Sequence, residues 1–221
     1  MTAKRKWVSA ISVILLIAAV LLIPRAYEHL YREEIAQIKK DFFSAPVDAE
    51  GLYSLLKAEN ERIVATWQEG LYNRYSYEQS AVNLAEYGID NNCVAFVSIP
   101  RIGVELPVYL GASKENLRKG AVHMTETSYP IGGTGTNSAI GAHRGHMLRL
   151  FREIHKIQIG DEIIIKNFRE TLTYHAAEIK IICPEDIQEV RIRPGRDMIT
   201  LFSCHPMWSE SQRYVVYCER V

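Results

Sequence analysis

The sequence predicts a mainly β protein: a closed barrel or sandwich of short strands with short helices, preceded by an N-terminal helical region and a transmembrane helix. Three features of the 221 residues lead there. An uncharged apolar run lies near the N-terminus, a helical apolar pattern follows it, and beyond residue 92 short runs rich in Val, Ile, Thr and Tyr alternate with Pro, Gly and charged turns. Strands that are many and short, with few long helices, close on themselves or pack as two layers.

The apolar run covers residues 7–23, WVSAISVILLIAAVLLI, with only Ser9 and Ser12 polar. A membrane-crossing helix needs about 20 such residues, with a lower limit near 17. Lys4, Arg5 and Lys6 precede the run, and the positive-inside rule then leaves the N-terminus cytoplasmic and the chain after Pro24 outside. A cleaved signal peptide is the competing reading; its apolar stretch would be shorter and end in a small-x-small site, which is absent around Ile23, Pro24 and Arg25. From residue 26 to about 70 the pattern is helical: Leu30, Ile35, Ile38 and Phe42 share a face, Pro46 interrupts, and Leu52, Leu55, Leu56, Ile63 and Trp67 continue to residue 71. Residues 72–92 are polar and tyrosine-rich and end in the turn Gly88-Ile89-Asp90-Asn91-Asn92.

Strands are expected at 94–99, 104–110, 138–142, 162–165, 171–182, 198–203 and 213–218, with short helices at 114–118 and around 148–157. Apolar residues make up 48% of the chain and charged residues 24%, enough for a domain with a real core plus appendages. Formal net charge is zero, and no basic stripe marks a nucleic-acid binder. The four cysteines form no C-x-x-C pair, which argues against structural zinc, and a core of this size needs no disulfide framework. Cys93, Cys183 and Cys218 read as small buried apolar side chains.

Cys204 differs. In Thr200-Leu201-Phe202-Ser203-Cys204-His205-Pro206 an apolar strand delivers a cysteine to its C-terminal end, where a proline stops the strand. A thiol is mostly protonated at neutral pH, so reactivity needs a neighbouring charge or base. Arg213 begins the next strand nine positions later, and an antiparallel pair would bring its planar donor fork beside Cys204. Among the seven histidines, His29 and His155 lie in charge-rich helical stretches and His175 alternates within a strand. His143 sits where an apolar strand meets a turn, in Ile140-Gly141-Ala142-His143-Arg144-Gly145-His146. Its spacing to His146 hints at a metal, but the helical H-E-x-x-H context is missing, so no metal is expected.

Residues 200–204 resemble the T-L-x-T-C signature of sortases, and Arg213 falls where pilin-building members of that family place their arginine. SAIGAHRG at 138–145 is similar to the S-x-x-x-G-H-R-G segment that carries the histidine, and 97–102 is similar to an I-x-I-P-x-I strand. Leu106-Pro107-Val108-Tyr109 and residues 120–133 are also similar to class C members. Here Ser203 replaces a Thr, His205 a smaller residue and Ala142 a Gly, and no Asp-Pro-aromatic lid motif lies between Tyr72 and Asn92.

The resemblance covers about residue 94 onward and implies a closed sortase-type β-barrel of about eight strands. Together with the apolar run and the helical pattern it divides the chain into an anchor (1–24), a helical region (25–92) and a catalytic barrel (93–221), with the stretch 72–92 open between an unorthodox lid, a dimer contact and a plain linker. It implies a membrane-anchored cysteine transpeptidase that cleaves an L-P-x-T-G-like signal through a thioacyl intermediate, with Cys204, His143 and Arg213 catalytic. Ser203, His205 and His123 are the candidates for substrate or oxyanion contacts, and Glu126, near His123, is the one carboxylate considered as a third triad member. No cofactor is implied. The partners are the cytoplasmic membrane and secreted proteins with a C-terminal sorting signal, pilins above all, whose lysine would be the acceptor. The alternatives are a peptidoglycan amine as acceptor, or a non-catalytic pilus assembly or peptide-binding factor. A papain-like protease is excluded because its cysteine would precede its histidine.

Overall fold

The computed structural model describes residues 3–73, 77–145 and 148–221. The chain divides into two compact units, Met1–Gln37 and Ile38–Val221. The first consists of most of helix α1 (Ala3–Ser44), which continues through Pro24 instead of ending there. Proline removes one helical N–H, and the side chain of Arg25 donates to the carbonyl of Leu21 at 2.8 Å in the adjoining turn. By length and composition α1 can cross a membrane: its span Ile11–Ser44 contains a window of mean hydropathy 2.0.

In the second unit, α2 (Ala49–Ala65) starts at Asp48, whose carboxylate accepts from the Gly51 N–H at 3.0 Å. It buries Leu52, Leu56, Asn60 and Ile63, which helical periodicity stacks on one face. Each leucine so buried is worth about 1.5–3 kcal/mol. The predicted continuation to residue 71 fails at Trp67 and Gln68, both in left-handed backbone (φ 52° and 54°). Buried Gln68 donates to the Glu126 carbonyl (3.3 Å) and accepts from the Ile192 N–H (2.8 Å), and these tertiary bonds override local helix preference.

The strands are β1 (Cys93–Ile99), β2 (Val104–Leu110), β3 (Ala121–His123), β4 (Thr136–Gly141), β5 (Glu162–Asn167), β6 (Thr171–Ile182), β7 (Asp197–His205) and β8 (Gln212–Arg220). They close in the order β1-β2-β3-β4-β7-β8-β6-β5, with β1 paired to β5, so the barrel alternative holds over the sandwich. Helix α3 (Lys114–Lys119), capped by Ser113, follows β2. The strand missed from sequence is β3, too short for a period-2 pattern, which pairs parallel to β2 and antiparallel to β4. The helix expected around 148–157 reduces to one 3-10 turn, Ile154–Lys156. Leu148, Leu150, Phe151, Ile154 and Ile157 are all buried there, so the helix-like apolar spacing is met by burial without a continuous helix.

The core is dense in aromatic rings, with Tyr109, Tyr174, Tyr217, Phe96 and Phe151 fully buried. All four cysteines are free; Cys93 and Cys218 are buried as expected, but Cys183 is exposed because it lies just past the end of β6. His123 is fully buried, stacked on Tyr129, with Nε2 3.0 Å from the Ser128 carbonyl. A carbonyl only accepts, so Nε2 carries the proton, and Nδ1 has no partner among the described residues.

Two outcomes follow from this burial. Burial pulls the His123 pKa down to about 4, below the free value, so the unfolded chain binds a proton that the folded chain refuses. Stability should therefore fall as pH drops from 6.5 towards 4, by roughly 3 kcal/mol from this group. Urea titrations should show that slope flattened in His123→Gln. Burial also raises both core thiols, Cys93 to about 12. Iodoacetamide near neutral pH should label Cys204 and Cys183 in the native protein, and Cys93 and Cys218 only after unfolding; peptide mass spectrometry reads the result.

Candidate active site

β7 is paired on both sides, and the two registers bring the candidate residues together. Against β8 the pairing is antiparallel, and Cys204 stands directly opposite Arg213. Side chains of such cross-strand partners are about 5 Å apart at Cβ and share a face. Against β4 the pairing is parallel and reaches Gly141 with Phe202. Beyond that pair the two chains stay in touch: the Ala142 N–H donates to the Phe202 carbonyl at 3.4 Å, and the Ser203 hydroxyl donates to the Ala142 carbonyl at 2.6 Å. The turn that carries His143 therefore runs alongside the end of β7 that carries Cys204.

Local sequence explains why this approach is possible. A Cβ at Gly141 would lie 2.6 Å from the Phe202 ring, so glycine makes room for that ring to lie across β4. The carbonyl of His143 accepts from the Phe151 N–H at 3.0 Å, which anchors the turn to the following loop. Arg213 is held from its own side, with Nη1 donating to the carbonyls of Glu210 and Gln212 at 3.0 Å each. Cys204, His143 and Arg213 are all half-buried, reachable from solvent yet backed by the barrel.

The tentative substrate contacts fare differently. Side chains alternate along a strand, so Cys204 shares its face with Phe202 while Ser203 and His205 point to the other. Ser203 is buried and its hydroxyl is committed to Ala142. His205 accepts at Nδ1 from Arg144 (2.8 Å) and lies 5.9 Å, ring to ring, from Tyr214, the partner of Ser203 across β7 and β8. Burial first, then the nearby positive charges of Arg144 and His155, lower its proton affinity. Neither side chain is on the thiol's face; both brace the His143 turn from behind. His123 is enclosed in the core, bonded to Ser128 and near Thr127, so a substrate cannot reach it. Glu126 lies near Arg62 (3.9 Å) and not on that ring. His146 lies outside the described residues.

Arg144 was not singled out from sequence, although it stands in the H-R-G segment. It is buried beside the site, and only the folded chain shows its partners, Cys204 and His205. On the Cys204 face of β4 and β7, Leu71, Met124, Ala139 and Val190 form an apolar cluster with Tyr77, Ile187 and Phe202. Leu71 and Tyr77, both between α2 and β1, thus pack over the strand surface that leads to the thiol. Tyr77 donates its hydroxyl to the Leu71 carbonyl, and its backbone carbonyl accepts from the Ala112 N–H. Among the described residues no group of three His, Cys, Asp or Glu is arranged to hold a metal.

Such a thiol, with an imidazole-bearing turn and a guanidinium at one strand end, suits nucleophilic acyl transfer. The sequence profile of the sortase domain family matches residues 97–221. Sortase D of Bacillus subtilis (strain 168) is 27% identical over 128 residues, 57% of this chain, and the chain spans 62% of that relative's length. Among solved structures, sortase C1 of Streptococcus agalactiae is 28% identical, with a TM-score of 0.71 over 86% of this chain and 97% of that one. The pilus-related sortase C of Group B Streptococcus is 31% identical, with a TM-score of 0.60 over 76% of this chain and 90% of its own. The barrel, the site at the end of β7 and these likenesses agree: the chain belongs to the sortase family, whose solved relatives are mostly of the sortase C class.

Proposed function

We propose that this protein is a membrane-anchored cysteine transpeptidase that joins secreted proteins bearing an L-P-x-T-G-like signal to a pilin lysine. The observation that carries the reading is the direct pairing of Cys204 with Arg213 at the strand end to which the His143 turn is tied. The Cys204 thiolate attacks the Thr carbonyl of the signal, and a tetrahedral oxyanion forms. Arg213, permanently charged, stabilises that oxyanion or aligns the substrate chain. His143 as imidazolium donates a proton to the departing glycine amine, leaving a thioacyl-enzyme, and then accepts one from the incoming lysine amine, so an isopeptide bond forms and the thiolate–imidazolium pair is restored.

In this reading residues 1–24 are the cytoplasmic tip and anchor, and residues 93–221 are the catalytic barrel outside the membrane. Residues 25–92 are the helical region, and its stretch at Leu71 and Tyr77 serves as an unorthodox lid. The pilus-related name of one relative and the sortase C character of the solved neighbours support a pilin as acceptor over a wall peptide.

Mixing the chain with candidate pilins and mapping the crosslink by mass spectrometry tests the reading. Cys204→Ala and His143→Ala should each abolish the crosslink while melting temperature stays within a few degrees of wild type. Polymer made by Cys204→Ala would refute the nucleophile. Arg213→Lys keeps the charge but loses the fork, and turnover should fall roughly a hundredfold, the scale of losing an oxyanion donor. Near-normal turnover would reduce Arg213 to a bare charge.

A further inference from the structure

A buried cation beside the thiol has no part in the mechanism above. Arg144 is 6% exposed. Removing a guanidinium from water is costly unless hydrogen bonds replace its hydration. Among the described residues its partners are neutral acceptors and not a carboxylate. Nη1 donates to Nδ1 of His205 at 2.8 Å and to the Cys204 carbonyl at 3.4 Å, and Nε donates to the Arg152 carbonyl at 3.4 Å. The guanidinium carbon is 5.7 Å from the centroid of the Tyr214 ring. One planar group thereby joins the turn after β4, the loop after that turn and the end of β7.

We propose that Arg144 is a positioning residue for transpeptidation: it locks the His143 turn to the carbonyl of Cys204 and holds His205 as a neutral imidazole protonated on Nε2. Arginine is only a donor, so an Nδ1 bonded to it must accept, and the remaining proton sits on Nε2. The groups facing His205 are Arg144, His155 and Tyr214, and none of them favours a second positive charge on that ring. A single histidine, His143, is then left to exchange protons at the thiol. Arg144 and His143 are sequence neighbours, so a bond from Arg144 to the Cys204 backbone sets the spacing of the two reacting side chains. Misplacement by about 1 Å can cost roughly a hundredfold in rate.

The inference rests on the catalytic reading above, and its test separates the two. The full-length chain carrying Cys183→Ser is measured for kcat and KM with an L-P-x-T-G peptide, for the pH profile of Cys204 alkylation by iodoacetamide, and for melting temperature. In Arg144→Met, kcat should fall at least about tenfold with KM changed less than about threefold, and the alkylation profile should shift. Arg144→Lys, which cannot span both acceptors, should recover part of kcat and not all of it. His205→Ala, which leaves Arg144 in place but removes one acceptor, should lower kcat by about threefold and, combined with Arg144→Met, add less than the sum. Wild-type kcat and an unchanged pH profile in Arg144→Lys and His205→Ala would overturn the proposal, even if Arg144→Met fails to fold. A loss confined to KM would overturn it as well. An inert Cys204 in the chain with wild-type Arg144 would instead sink the catalytic reading itself.

Discussion

The site depends on β7 being hydrogen-bonded along both edges. One edge fixes Cys204 opposite Arg213, and the other fixes Phe202 beside Gly141, two residues before His143. Because strand side chains alternate, a slip of one residue in either register would turn Cys204 into the barrel and bring Ser203 or His205 outward. A closed barrel resists such a slip, since every strand has a neighbour on each side and no free edge along which to slide.

The same alternation divides labour within five residues. Phe202 and Cys204 look out towards the face where Leu71, Tyr77, Ile187 and Val190 gather, while Ser203 and His205 look back and grip the turn 142–144. The gripping groups are polar but satisfied: a hydroxyl on a carbonyl, and a guanidinium on a carbonyl and a ring nitrogen. Fully bonded polar groups in a buried setting specify one arrangement, because any alternative strands a donor away from water. The departures of this chain at Ser203 and His205 from the sortase pattern thus fall on the bracing face and not on the thiol's own.

Covering of the outer face is a second consequence of the topology. The segment after α2 is pinned to the barrel through Gln68, whose amide reaches both Glu126 and Ile192, and through Arg191, which donates to the Trp67 carbonyl at 2.8 Å. A backbone driven into left-handed conformation at Trp67 and Gln68 marks where helix gives way to this packing. The apolar side chains that follow bury Ala139 and pack against half-buried Phe202 on the strand surface beside the thiol.

Sequence by itself determined the β class of the C-terminal part, its principal strands and the apolar helix, and it singled out Cys204, Arg213 and His143 as candidates. Each of these is local: a period of two, an apolar run long enough for a bilayer, a cysteine at a strand end followed by proline. Tertiary structure decided what local pattern cannot carry. It closed the barrel rather than leaving a sandwich, made a strand of the three residues ending at His123, and ended α2 early through the long-range bonds of Gln68. It also enclosed Ser203 and His123, turned His205 to the face away from the thiol, and brought Arg144 to the end of β7. The direction of a side chain and the identity of its partners depend on register and on contacts across some sixty positions, such as Arg144 with Cys204 and Ser203 with Ala142. Those distances vanish only when the chain has folded.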